Sequence, residues 1–130
     1  MARNIIDLPT LGDDGKLYRD TAVDMVESLI PNPWESCHAP DLLELENGDL
    51  LCCWFAGSRE GNADISIAVA RLPADAEQWE QPVIVSDDPT RSEQNPSLFQ
   101  NPNGDIWLMY TAQAAKKPDD NSDDSLQGTA

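Results

Sequence analysis

The chain has 130 residues, enough for one small domain, and its ten Pro and seven Gly favour a turn-rich all-β fold over a helix bundle. It carries 24 acidic against 8 basic side chains, a formal net charge of −16. That charge repels phosphate backbones and anionic lipid, which argues against nucleic acid and membrane as partners. The sequence shows no stretch typical of a signal peptide or a membrane span, so we expect a cytoplasmic location.

The first 36 residues lie outside the repeated part of the chain described below. Within them the stretch KLYRDTAVDMVESLI, at 16–30, can supply an outer β-strand. An amphipathic helix over 20–30 is the alternative for the same residues.

A segment of the chain occurs twice. SCHAPDLLELENGDLLCCWFAG, at 36–57, has its counterpart in SEQNPSLFQNPNGDIWLMYTAQ, at 92–113, and Pro40 aligns with Pro96 without a gap. Each copy holds an Asn-Gly pair between two apolar runs, which is a strong hairpin signal because both central turn residues must accept positive φ. We therefore predict two β-hairpins, each with a second strand that is apolar on both faces and buried between layers.

Two more β-rich runs follow the first hairpin, DISIAVARL and QPVIVS. The strands predicted for this unit are 39–45, 49–56, 64–72 and 82–86. Four short antiparallel strands that recur with a fixed period are typical of propeller blades, whereas a β-sandwich, the competing fold, needs no such repeat. We predict an all-β chain, a β-propeller of four-stranded antiparallel blades, of which this chain holds about two.

The division of the chain follows from these strands. Residues 37–90 form blade 1, residues 91–130 a partial blade 2, and residues 1–36 an N-terminal segment that can provide an outer strand of the last blade. The polar stretch 114–125 is predicted to be a loop. A propeller closes with about four to eight blades, so we expect an N-terminal fragment without turnover of its own. Association of copies through an open sheet edge is the alternative.

The three cysteines are an odd number, and two of them are adjacent. Neither a disulfide framework nor a metal site is expected from this pattern, and we expect no metal and no cofactor. Cys52 and Cys53 should alternate across a strand. We interpret all three, including Cys37 near a polar cluster, as buried small hydrophobic residues.

Strand order places the candidate site at one end of the blades, opposite the Asn-Gly turns. The polar side chains that collect there are His38, Asp41, Arg59, Glu60, Asp64, Glu93, Gln94 and Asn95. Arg59 suits bidentate binding of a carboxylate, Asp64 and Glu60 suit general acid or base chemistry, and His38 is a further candidate acid/base group. Each also has a structural interpretation: a hydrogen-bonded His38, an Arg59 paired to Glu60 or Asp64, and a Glu93 and Asn95 that cap a turn.

Three motifs resemble the first blade of the sialidase-like BNR-repeat β-propellers: CHA at 37–39, GDLL at 48–51 and WFAGSREG at 54–61. The stretches NPSLFQ and GDIWLMY are similar to that family's second blade, so the resemblance covers about residues 34–112. It implies a propeller that is six-bladed if complete, with a glycan or glycoside as substrate.

The resemblance also implies roles for individual residues. Arg59 matches an arginine that binds the substrate carboxylate, and His38 stands where the family has another. Asp64 matches the acid/base Asp, with Glu60 as its rival, and the Asp-box motif survives only as Trp79. The implied catalytic residues are Asp64, His38 and Glu60, and the implied substrate-binding residues are Arg59, Asp41, Glu93 and Asn95. A glycoside hydrolase acting on an acidic glycan is the expectation, with a polysaccharide lyase or a non-catalytic carbohydrate-binding or scaffold propeller as alternatives.

Overall fold

The computed structural model describes residues 5–7 and 11–117, and the chain is all β in these residues. They contain no helix, and hence no helix that could cross a membrane. The described strands, in chain order, are β1 (Ile6–Asp7), β2 (Tyr18–Asp20), β3 (Met25–Glu27), β4 (Ser36–Glu44), β5 (Leu50–Gly57), β6 (Ser66–Leu72), β7 (Val83–Ile84), β8 (Arg91–Gln100) and β9 (Ile106–Ala114). They form a three-stranded sheet β1-β2-β3, a four-stranded antiparallel sheet β4-β5-β6-β7 and a two-stranded sheet β8-β9.

Both predicted hairpins are present, as β4–β5 and β8–β9. In the first turn the Leu45 amide donates to the Asp49 carbonyl at 2.8 Å, and the second turn repeats this bond at the equivalent positions with 2.9 Å. The turn glycines, Gly48 and Gly104, have φ of 86° and 89°, a conformation in which a side chain would be strained. Only the glycine of each Asn-Gly pair has positive φ, so the expectation of positive φ at both central residues is wrong. The two hairpins nevertheless turn at the predicted positions.

The repeat extends to an irregularity in the backbone. The pairing of β4 with β5 shifts register beside Pro40, and the pairing of β8 with β9 shifts beside Pro96. In each bulge the residue before the proline is left-handed, with φ of 53° at Ala39 and 51° at Asn95. A bulge changes the direction of the side chains around it, and a proline is tolerated there because no ladder hydrogen bond is needed.

The four-stranded sheet lies in the middle of three layers. One face packs against β8–β9 and buries Phe55, Ile65 and Ile67 to 1% exposure or less. The other face packs against the N-terminal segment through Trp54, Leu72 and Trp79, among others. This arrangement agrees with the prediction for β5, which contributes to both cores. For the second hairpin the prediction is wrong, because no described layer covers the outer face of β9 and most of its side chains are exposed.

The cysteines follow the prediction in part. Cys52 and Cys53 lie in different cores, as alternation along β5 requires, and burial raises the pKa of each thiol to about 11. These thiols are therefore protonated at neutral pH and behave as small hydrophobic side chains. The prediction that Cys37 is buried is wrong, because its side chain is exposed near the start of the edge strand β4.

The N-terminal segment contains β-structure within 16–30, as predicted, but its strands form a separate three-stranded sheet. The helix considered for 20–30 is wrong: β2 and β3 form an antiparallel pair whose turn contains Asp24 at φ 50°. Asp is among the few residues that adopt this conformation readily. The segment also contacts the connection between β6 and β7, since the Trp79 amide donates to the Gly15 carbonyl at 2.9 Å.

Several predicted boundaries also shift. β4 begins at Ser36 instead of residue 39, and β6 begins at Ser66 instead of residue 64. The fourth strand is only Val83–Ile84, because few of the backbone groups in 82–86 pair with β6. The predicted loop begins one residue later than expected, since Ala114 still belongs to β9, and its residues 118–125 lie outside the described part of the chain.

The outer face of β8–β9 is uncovered among the described residues. Phe99, Trp107 and Met109 are 40%, 52% and 53% exposed, and the rings of Phe99 and Trp107 stack with centroids 5.7 Å apart. The repeat-equivalent side chains of the first hairpin are Leu43, Leu51 and Cys53, and they pack against β8–β9. The same face is thus a packing surface in the first repeat and an open apolar surface in the second.

We expect the chain to self-associate through this face, and to do so more at high salt. Association is opposed by the net charge of −16 and is favoured as salt screens that charge. Sedimentation velocity between about 20 mM and about 500 mM salt measures the effect. Trp107→Glu should abolish association, whereas Leu29→Glu, an equal charge change at another exposed apolar residue, should not. A monomer at every salt concentration would contradict the prediction.

Candidate functional site

The predicted site residues lie toward one end of the two larger sheets, with the Asn-Gly turns at the other end. Arg59, Glu60 and Asp64 are on the loop after β5, and the others are on the strands β4 and β8. Two backbone bonds join neighbouring segments at this end. The Glu93 amide donates to the Ile65 carbonyl at 3.0 Å, and the Lys116 amide donates to the Gly61 carbonyl at 2.8 Å. The start of β8 and the segment after β9 therefore both contact the loop between β5 and β6, as the predicted strand order requires.

The loop of residues 58–64 is held together by its own side chains. The Asp64 carboxylate accepts hydrogen bonds from the Ser58 hydroxyl at 2.9 Å and the Ser58 amide at 3.2 Å. The Asn62 side chain in turn donates to the Ser58 hydroxyl at 3.1 Å. Asp64 remains exposed, so its carboxylate is both oriented and accessible to a ligand.

Arg59 lies on the same loop and is exposed. Its guanidinium forms no ion pair or hydrogen bond with any described residue, so the structural interpretation in which it pairs with Glu60 or Asp64 is wrong. Glu60 is half-buried beside it. The planar donor fork of Arg59 is therefore available to an anionic ligand.

His38 is exposed at the edge of the buried core and contacts Phe55. Its ring meets the edge of Phe55 with centroids 5.7 Å apart and an interplanar angle of 83°, a T-shaped contact that orients the imidazole. It borders a cavity of about 280 Å³ that Cys37 and Trp54 also line. No contact in the described part of the chain joins His38 to Asp64, so the structure brings them to one end of the sheets without linking them.

Asp41 connects the two larger sheets. Its carboxylate accepts hydrogen bonds from the Leu98 amide at 2.8 Å, the Ser97 hydroxyl at 3.1 Å and the Leu42 amide at 3.0 Å. These donors, the Leu98 amide foremost, hold the pKa of Asp41 below its usual value. The carboxylate predicted to bind substrate is thus engaged within the protein, and its contact with a ligand stays a prediction.

We expect Asp41 to make the fold sensitive to acid. A depressed folded-state pKa gives stability that is fully present above the usual value of 3.8 and is lost as the pH falls through the folded pKa. The free energy of unfolding of the wild type should therefore exceed that of Asp41→Asn near neutrality, and the difference should shrink between about pH 5 and about pH 2. Urea titrations at each pH measure it, with Asp75→Asn, at an exposed turn residue, as the control. A difference that is constant with pH would contradict this account.

Glu93 is placed differently from its prediction as a surface ligand. Its side chain is 1% exposed and accepts a short hydrogen bond from the Ser86 hydroxyl. Ser86 in turn accepts a bond from the Ile67 amide at 2.7 Å, and the Asp88 amide lies 3.4 Å from the other Glu93 oxygen. Glu93 therefore ties β8 to the edge of the four-stranded sheet, and a role in substrate binding stays a prediction.

The remaining predicted residues sit on β8. Gln94 is buried, and its amide donates to Ser92 at 2.9 Å. Asn95 is exposed at the bulge, with its side-chain amide 3.4 Å from the Thr111 hydroxyl. The Asn95 amide is thus engaged with Thr111, and its contact with a ligand stays a prediction.

An acidic cleft of about 470 Å³ adjoins the loop and was not predicted. It is lined in part by Asp64, Asp87 and Asp88. Within the described ranges, no three His, Cys, Asp or Glu side chains meet closely enough to hold a metal ion. Lys116 was also missed. A lysine in a polar stretch carries no sequence signal, and only its backbone bond to Gly61 places it at the site.

Two register-matched hairpins, each opening a separate antiparallel sheet, define a repeat-built all-β protein. Residues 48–126 match the family described as the BNR repeat-like domain, which is more than half of the chain. The chain belongs to this family, in agreement with the resemblance to sialidase-like BNR-repeat proteins. The match includes the Arg59 loop and the second hairpin and begins after His38. No curated protein and no solved structure matches the chain.

Proposed function

We propose that this chain is part of a sialidase-like glycoside hydrolase that acts on an acidic glycan and is built on a β-propeller. The observation that carries the proposal is Arg59, an exposed guanidinium without an ionic partner in the described part of a chain of net charge −16. An acidic protein has many carboxylates with which to pair an arginine. An arginine that remains without such a partner, on the loop that also carries the oriented Asp64, is suited to bind an anionic substrate.

The residues at this end have complementary chemistry. Arg59 binds the sugar carboxylate through two parallel N–H donors. Asp64, exposed and oriented by Ser58, protonates the leaving glycosidic oxygen as general acid. His38, whose ring is oriented by Phe55, is a second acid/base group, and Glu60 is the alternative carboxylate on the loop.

A glycoside hydrolase needs a second catalytic group on the other side of the scissile bond. We propose that further blades supply it. The uncovered face of Phe99, Trp107 and Met109 supports this, since the equivalent face of the first hairpin is covered by the next sheet. The isolated chain is accordingly expected to bind an acidic glycan without turning it over.

A non-catalytic carbohydrate-binding module is the second candidate. It is favoured by the separation of His38 from Asp64 and by the use of the Glu93 carboxylate within the core. In this function Arg59 and Asn95 bind the glycan and no side chain transfers a proton.

Hydrolysis of fluorogenic sialosides and glucuronides distinguishes the two functions, measured on a polypeptide that carries the further blades. We expect Asp64→Asn to lower kcat about 100-fold or more while glycan binding persists, because general acid catalysis contributes about 10²–10⁴-fold. Asp75→Asn, an exposed carboxylate away from the loop, should leave kcat unchanged. Full activity in Asp64→Asn would remove Asp64 from catalysis, and binding without turnover would support the binding module.

A further inference from the structure

The basic side chains of the described residues divide into two groups. Four of them form ion pairs within the protein: Lys16 with Asp14, Arg19 with Asp24, Arg71 with Asp49 and Arg91 with Asp88. Arg59, Lys116 and Lys117 form none among the described residues. The unpaired cations therefore occupy two short segments, the loop of residues 58–64 and the residues after β9, and these segments are joined by a backbone hydrogen bond.

Lys116 is positioned by Gly61. Besides the bond from its amide to the Gly61 carbonyl, its side chain lies against the bare backbone of that glycine. A Cβ added to Gly61 would stand 2.7 Å from Cε and 2.8 Å from Cδ of Lys116, so a side chain at this position would displace the lysine stem. Gly61 also has φ of 92°, which disfavours any side chain. The half-buried stem thus lies along the loop that carries Arg59.

We propose that Lys116 and Arg59 together form the binding site for the carboxylate of an acidic sugar, with Lys116 as a specificity-determining residue. This inference rests on the proposed acidic-glycan function and adds a residue to it. The guanidinium offers two parallel donors to the carboxylate, and the ammonium adds a point charge from a second segment of the chain. Because the rest of the protein repels anions, this pair is a local site of attraction in an otherwise negative field.

Binding of sodium glucuronate to the 130-residue chain, followed by NMR titration at low salt, tests the proposal. Glucose serves as the neutral analogue. We expect glucuronate to shift the amide resonances of residues 58–64 and 115–117, and glucose to shift them far less. Lys116→Gln should raise the Kd for glucuronate about twofold to fivefold and Arg59→Gln should raise it at least as much, in the range of partly exposed ion pairs. Lys116→Arg should retain binding because it keeps the charge.

The matched control is Lys16→Gln, which makes the same change in net charge at a lysine that already pairs with Asp14. It should leave the Kd unchanged. An unchanged Kd in Lys116→Gln, with binding lost in Arg59→Gln, would overturn the role of Lys116 and leave the proposed function standing. Equal binding of glucuronate and glucose by the wild type would overturn the carboxylate site, while the hydrolysis assay decides the function separately. Inorganic phosphate that binds these residues as tightly as glucuronate would show a general anion site and overturn the sugar specificity.

Discussion

Replacing Phe55 by Ala is expected to lower the free energy of unfolding by about 3–5 kcal/mol. Phe55 is 1% exposed and fills the core between the four-stranded sheet and β8–β9, so its removal leaves a cavity that neighbouring side chains close only in part. The same change removes the aromatic ring that the His38 ring contacts. Urea denaturation followed by the fluorescence of the four Trp residues measures the loss.

The matched control is Phe99→Ala, at the other phenylalanine of the chain. Phe99 is 40% exposed on the uncovered face of β8–β9, so its truncation should cost less than about 1 kcal/mol. The two variants remove the same atoms and differ in what surrounds them. Equal losses would contradict the assignment of the core to the space between these two sheets.

Glu93→Ala is expected to lower the free energy of unfolding by about 2–4 kcal/mol, because a buried donor that loses its acceptor costs about 1–3 kcal/mol. The change leaves the Ser86 hydroxyl and the Asp88 amide without the carboxylate that they contact. It also disturbs Ser86 as the acceptor for the Ile67 amide, so the loss extends into β6. Thermal or urea unfolding of the purified variant gives the value.

Two further variants sharpen this test. Glu93→Gln keeps the length of the side chain and one acceptor oxygen, so it should lose less stability than Glu93→Ala. Glu44→Ala truncates an exposed glutamate on β4 and should change the stability by less than about 0.5 kcal/mol. A Glu93→Ala variant as stable as Glu44→Ala would show that Glu93 is not a structural residue.

The hairpins could be predicted from the sequence because their signal is local. An Asn-Gly pair determines the turn, and alternation along β5 determines which core receives each cysteine. The N-terminal sheet could not be predicted in the same way. Its strands are three residues or fewer, too short to show a period, and Asp24 makes the turn without a glycine.

The site could be predicted as a location more readily than as a set of contacts. Strand order alone gathers the polar residues at one end of the sheets. The partners of each residue depend on contacts between distant positions, such as the 57 residues that separate Asp41 from Leu98. Glu93 illustrates the difficulty. A carboxylate in a polar stretch of sequence suggests an exposed binding residue, and only the contact with Ser86 in the structure shows that it is buried.

The paired bulges at Ala39 and Asn95 bear on how the two repeats can diverge. Their backbones follow the same course while the side chains at equivalent positions differ: His38 corresponds to Gln94, and Asp41 to Ser97. Each repeat thus presents side chains from positions with the same backbone geometry. A substitution at one of these positions leaves its counterpart in the other repeat unchanged. Duplication of such a unit supplies a spare copy of every site position, so new chemistry can arise in one repeat while the other preserves the architecture.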